Sequence, residues 1–426
     1  MNEINYEKEF LQILKEELVP AEGCTEPISL AFAGAKAREI LKGIPNKVVI
    51  ECSGNLIKNI RCVTVPNTGN LVGIEASLLA GIVGGDSSRA LEVISDLNED
   101  HLVIINQLLL QKIVEVKLLD TPTNLHFILT CTKGDDTCEI EIKNLHTYIT
   151  SIKLNGEVLF KKDVGIEEFF GVETDRSVIT IDRILEFSNN VELKKIKPVI
   201  DDQIKYNMAI AETGLKRNFS VKIGETILKH DKSIYGRMKA YTAAASEARM
   251  SGCSMPVITN SGSGNQGLTT SIPVILYAKH KYISEEKMYR ALILSNLLTI
   301  YQKGFIGRLS AFCGAISAAI SAGATLTYIE GGSLEQIKMT VINSLANVSG
   351  VVCDGAKPSC AAKIVTGLEA AFLGHFLAMD NHSYNPLSGI VKGNADETIK
   401  AIGKMAKEGM KETDQVILNI MLENNK

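Results

Sequence analysis

Apolar positions recur at helical spacing through residues 5–18 and again through 26–42, the pattern of helices that bury one face. Gly43 and Pro45 close the second of them. From about residue 46 the texture changes. VVIEC and RCVTVP read as strands, GIEASLLAGIVGG as a small-residue helix, and LHFILTCT, TCEIEIKN, HTYITSIKL and EVLF as antiparallel strands. Asn155 and Gly156, between the last two, are the pair that a two-residue hairpin demands. After about residue 190 helical periodicity returns and persists, rich in Ala, Gly and Ser, with turns at SGSGNQG, YIEGGS and NPLSG. The pattern predicts an α+β fold: an all-helical catalytic domain made of residues 1–45 and 190–426, with an inserted mixed α/β module containing antiparallel strands at 46–189.

The 426 residues suffice for two or three domains and a sizeable core. Net charge is −4 with the basic residues scattered, so neither nucleic acid nor an anionic membrane is an expected partner. The opening MNEINYEKEFLQILKEEL is acidic and amphipathic, unlike a signal peptide, and points to the cytoplasm. The most apolar stretch, 311–329, is broken by Ser, Thr and Gly and reads as a buried helix rather than a membrane span. Nine cysteines, an odd number, exclude a complete disulfide framework and favour free thiols or metal ligation in a reducing compartment. The extensive small-residue helical surface suits a homodimer.

Three cysteines carry the chemistry. Cys313 heads the segment CGAISAAISAGA, where Gly314 and Ala315 leave room beside the sulfur, and Cys353 and Cys360 flank a loop forced by Gly355 and Pro358. Their spacing is wider than a zinc knuckle uses. Three thiolates are one short of closing a cubane iron–sulfur cluster, which leaves one iron open to a substrate. Each cysteine alone reads equally well as a small buried hydrophobe; the set of three favours ligation. Cys24, in PAEGCTEPISLAF, stands at a helix start with Thr25 as the expected N-cap and Glu26 and Pro27 in the first turn. The dipole there lowers a thiol pKa, so Cys24 is a candidate base or nucleophile; Glu26 would work against that depression, and a packing role stays open.

The loop Ser261, Gly262, Ser263, Gly264, Asn265, Gln266, Gly267 offers backbone donors, hydroxyls and amides ahead of a helix, a combination suited to a carboxylate or phosphate. It matches neither the P-loop nor the dinucleotide fingerprint. A weaker candidate is Ser53, Gly54 and Asn55 after VVIEC. The seven histidines show no paired metal-ligand spacing, and the remaining cysteines read as packing residues.

PAEGCTEP, SGSGNQG, and CGA with CDGAKPSC, spread over most of the chain, together resemble the L-cysteine desulfidase branch of the iron–sulfur serine dehydratase α-chain superfamily. The resemblance implies an oxygen-sensitive 4Fe-4S cluster held by Cys313, Cys353 and Cys360 with one iron not ligated by protein, and Cys24 as the acid/base thiol. It also implies pyridoxal-phosphate-independent conversion of L-cysteine to pyruvate, ammonia and hydrogen sulfide; Ser261, Ser263, Gly264, Asn265, Gln266 and Asn55, from the two loops read above, are the candidate substrate contacts. The Ser-Ser-Ser-His-Thr stretch of serine-specific relatives is absent, which tilts the substrate to L-cysteine and leaves L-serine as the alternative. A pyridoxal-phosphate lyase, for which no clear lysine context is found, and a zinc-stabilised binding module are the competing readings.

Overall fold

The computed structural model describes residues 6–162, 174–217, 219 and 221–423. Helix α1 (Glu7–Glu17) leads through the short strand β1 (Pro20–Glu22) to α2 (Thr25–Leu41). Then follow β2 (Lys47–Cys52), α3 (Gly54–Ile60), α4 (Gly73–Gly84), α5 (Glu99–Gln111), β3 (Val114–Leu118), β4 (His126–Lys133), β5 (Asp136–Lys143), β6 (Ile149–Leu154) and β7 (Glu157–Lys161). Next come α6 (Ile181–Asn190), α7 (Lys197–Lys216), α8 (Ile223–His230), α9 (Ile234–Met250) and the short strand β8 (Pro256–Ile258). The chain continues with α10 (Gly264–His280), α11 (Glu285–Ile306), α12 (Gly314–Ile329), α13 (Leu334–Val348), α14 (Cys360–Met379), α15 (Ala395–Lys404) and α16 (Lys411–Glu423). The fold is α+β, as the periodicity predicts.

One mixed sheet runs in the order β3-β2-β4-β5-β6-β7, with β2 parallel to β3 and every other pair antiparallel. Along β5 the apolar Cys138, Ile140 and Ile142 are buried in alternation with less buried polar residues, the period that gives a strand one covered face. Asn155 and Gly156 take φ of 52° and 83° at the β6–β7 turn, both in the left-handed region that a tight hairpin requires. Cys131 and Cys138 stand opposite each other in the β4–β5 ladder, and all nine thiols are free.

RCVTVP does not form a strand. Asn67, Gly69 and Asn70 turn at positive φ just beyond it, so the segment folds back on itself through a single Thr64–Val72 bridge. Strand β3 escapes the sequence pattern because it is an edge strand with little buried on either face.

Two apolar cores organise the chain. One gathers α1, α6, α7 and α9 through α15, with α12 buried almost all round. The other lies between the sheet, α2 and α4, and takes Leu418 from α16, so its membership extends beyond residues 46–189 at both ends. Helices α2 and α4 meet so closely that a Cβ on Gly81 would lie 1.9 Å from the Ala31 carbonyl oxygen. Helix α14 alone, among the described residues, is long and apolar enough to cross a membrane, and half of it is buried against α9, α12 and α13.

Candidate active site

Four helices begin at one cavity. Cys24 is the N-cap of α2, Ser263 of α10 and Cys313 of α12, and Cys360 is the first residue of α14; all four line a cavity of about 100 Å³ together with Cys353. Each start turns unsatisfied backbone N–H groups and a partial positive charge toward the same space, a setting for anionic groups.

Local backbone pairing explains why the thiols meet. Cys313 N–H donates to Val351 O at 3.0 Å and Cys353 N–H to Ala311 O, an antiparallel bridge that sets the two cysteine-bearing loops side by side. The Asp354 carboxylate then ion-pairs with Lys357 and Lys363, bracing the turn that returns the chain to Cys360. Gly314 opens the wall: a Cβ there would come 2.7 Å from Gln266 Nε2 and 3.2 Å from Lys303 Nζ. Opposite, the Thr25 hydroxyl donates to Gly262 O at 3.0 Å, tying the first turn of α2 to the SGSGNQG loop.

Leu309, Phe312, Ala315 and Ala356 give the cavity apolar wall, and its polar lining is largely buried: Glu26, Asn59, His146, Arg249, Lys303 and Arg308 join Ser261, Ser263, Asn265 and Gln266. Arg249 is 3% exposed; its Nη1 donates to Asn265 Oδ1 at 3.2 Å. His146 Nε2, Arg249 Nε and Gln266 Oε1 are buried without a hydrogen-bond partner. Three such atoms around one cavity are a cost that a bound polar molecule would remove.

Burial sets the protonation states. It pushes the Cys24 thiol up to about 12, with Arg249 opposing and Glu26 and Cys360 reinforcing. It pushes Cys313 up to about 12 as well, with Cys353 and Cys360 adding to the rise. Glu26 is raised by burial. Lys303 is brought down to about 8 by burial, the Cys353 and Cys313 thiols pulling the other way. His146 falls to about 3 through burial and the Arg308 and Arg249 charges. Glu17, beneath the site, is held below its usual range because Arg308, at 2.7 Å, and Arg176 outweigh its burial.

Cys24, Cys313, Cys353, Cys360, Ser261, Ser263, Gly264, Asn265 and Gln266, singled out in the sequence, are brought into one locality by the fold. Three local expectations change. Thr25 is not the N-cap; Cys24 occupies that position. The helix start does not make Cys24 a ready thiolate, because its full burial outweighs the favourable charges. Asn55 does not line the cavity; its amide donates to Asn124 Oδ1 and Asp414 Oδ2, and Asn59, one turn further along α3, lines the cavity instead. Arg249, His146, Lys303 and Arg308 were missed, since each sits near a helix end or in a loop with no spacing that ties it to the others.

Three thiols on one cavity are donors of the kind an iron–sulfur centre takes. Among the described residues no group of three or more His, Cys, Asp or Glu side chains is arranged to hold a metal ion; three thiols nonetheless line one cavity and oppose each other's ionisation. Coordination to iron would relieve that opposition, since metal binding holds thiols deprotonated.

The serine dehydratase alpha chain family model matches residues 88–419. A UPF0597 protein of Treponema denticola is 47% identical over 423 residues, covering 98% of each chain. Another, of Lachnoclostridium phytofermentans, is 47% identical over 420 residues, with 97% of this chain and 99% of the relative covered. A third, of Desulfitobacterium hafniense, is 46% identical over 421 residues, with 98% and 97% covered. With its cysteine-lined cavity and a family match over most of its length, the chain belongs to the iron–sulfur serine dehydratase alpha chain family, whose chemistry is that of lyases.

Proposed function

We propose that the chain is a cytoplasmic L-cysteine desulfidase that eliminates sulfide from L-cysteine to leave pyruvate and ammonia. The observation that carries this reading is the meeting of four cysteines, four helix starts and three unpartnered buried polar atoms on one small cavity. Cys313, Cys353 and Cys360 would hold a 4Fe-4S cluster, which when bound supplies an open Lewis-acid corner that makes sulfide a better leaving group.

The chain's own residues do the rest. Arg249 and Gln266 receive the substrate carboxylate, aided by the free N–H groups that open α10 and by Asn265, which orients the guanidinium. Ser261, Ser263 and Gly264 shape that receiving loop. His146, held neutral, offers a ring nitrogen to the amino group without adding charge. Cys24 takes the Cα proton as the thiolate, its own proton having passed to solvent, an ionisation that Arg249 favours and burial opposes. Loss of sulfide leaves aminoacrylate, which water converts to pyruvate and ammonia.

The family description supports L-serine as a second reading. Oxygen-free enzyme given each amino acid separates the two. Equal pyruvate and sulfide from L-cysteine, formed faster than pyruvate from L-serine, is expected; turnover of L-serine with L-cysteine inert would establish the second. Cys24→Ala should reduce turnover by at least roughly a hundredfold with the visible spectrum of the cluster intact. Equal loss of both would make Cys24 structural or a ligand.

A further inference from the structure

The side chain of Lys58 on α3 is 1% exposed, an unusual place for an ammonium. Its Nζ donates to the backbone oxygen of Cys353 at 3.2 Å and ion-pairs with Asp414 on α16. Asn55, one turn earlier, donates to the other Asp414 oxygen at 3.2 Å. On the same helix the Lys58 carbonyl faces Gly355, whose φ is +94° and where a Cβ would approach that oxygen to 2.4 Å. Helix α16 is seated on α3 through Leu418, which fills the space left by Gly54. The cysteine loop is thus held from outside by one buried side chain, and that side chain is held in turn by the last described helix.

Stability alone does not account for the pair. A buried ion pair loses so much hydration that apolar residues of similar volume commonly stabilise a fold as well or better. The Cys353 carbonyl, however, needs a donor, and groups that hydrogen-bond around metal-bearing residues orient them. We infer that Lys58 and Asp414 are positioning residues that fix the Cys353–Cys360 loop for cluster binding, so that α16 governs how firmly the protein keeps its iron. This rests on the reading of Cys313, Cys353 and Cys360 as cluster ligands.

The test uses full-length protein reconstituted with iron and sulfide without oxygen, and follows loss of the visible absorption under a chelator. In Lys58→Met/Asp414→Leu the ion pair is replaced by apolar bulk. Its urea unfolding midpoint should stay near wild type while the cluster half-life shortens roughly tenfold or more. A folded double variant that keeps its cluster as long as wild type overturns the inference. If the double variant does not fold, Asp414→Asn, which keeps the shape and removes the countercharge, should show the same shortening, and wild-type persistence there overturns it equally. Wild-type protein that takes up no iron removes the cluster reading itself, a result distinct from a wild type and variants that all hold iron alike.

Discussion

In the proposed reaction Arg249 is the residue that receives the substrate carboxylate. It is buried, one of its nitrogens is already spent on Asn265, and another has no partner until a ligand arrives. Gly264 leaves the space it occupies: a Cβ there would come 2.3 Å from Arg249 Nε. Replacing Arg249 with Met should remove a charge-assisted contact of about 2 kcal/mol, roughly a thirtyfold fall in kcat/KM for L-cysteine, with iron content unchanged. Steady-state kinetics beside metal analysis checks this, and an unaltered kcat/KM would take Arg249 out of the binding site.

Helices set the precision of the site, and close contact between them depends on residues without bulk. The α2–α4 contact is the sharpest case, because α2 carries Cys24 at its start and Gly81 faces the Ala31 backbone along its length. Gly81→Ala should cost about 3 kcal/mol through overpacking, read as a lower urea midpoint; an unchanged midpoint would mean that the helices are not in contact there. The helix starts at Cys24 and Cys313 could be read from local chemistry, since Gly, Pro and runs of small residues mark where helices begin, whereas the Cys353–Cys360 segment reads only as a loop and gives no sign of the helix that Cys360 opens. Asn55 could not be placed that way. Ser53, Gly54 and Asn55 share composition with the carboxylate loop, yet they open α3, and Asn55 meets Asp414, which lies 359 residues further along the chain. Arg249, His146, Lys303 and Arg308 were equally beyond reach of local patterns, because their meeting depends on how the two cores dock. The rise at Cys24 has a related origin: a helix start is visible in sequence, but the burial that raises the thiol is a property of tertiary packing.

Across the whole molecule, buried histidines tie stability to pH. His375 is 3% exposed, its Nδ1 bonded to the Thr327 hydroxyl at 2.9 Å, and burial lowers it to about 4. In the unfolded chain the same ring titrates near 6.5. As pH falls below about 6.5 the unfolded state takes up a proton that the folded state refuses until about 4, so stability declines by about 1.4 kcal/mol per pH unit in that window. His375→Gln should flatten the wild-type slope by that amount between pH 6 and 4.5 in urea titrations, and parallel slopes would show that the ring charges freely in the fold.

The same scale holds the central claim, that the fold gathers three thiols on one cavity to hold one cluster. Metal and acid-labile sulfide analysis of protein purified without oxygen tests it directly. About four irons and four sulfides per chain, with brown absorption bleached by dithionite and lost in Cys353→Ser, is the predicted result. Protein that is poor in iron, or carries zinc instead, and still releases sulfide from L-cysteine at full rate would contradict it.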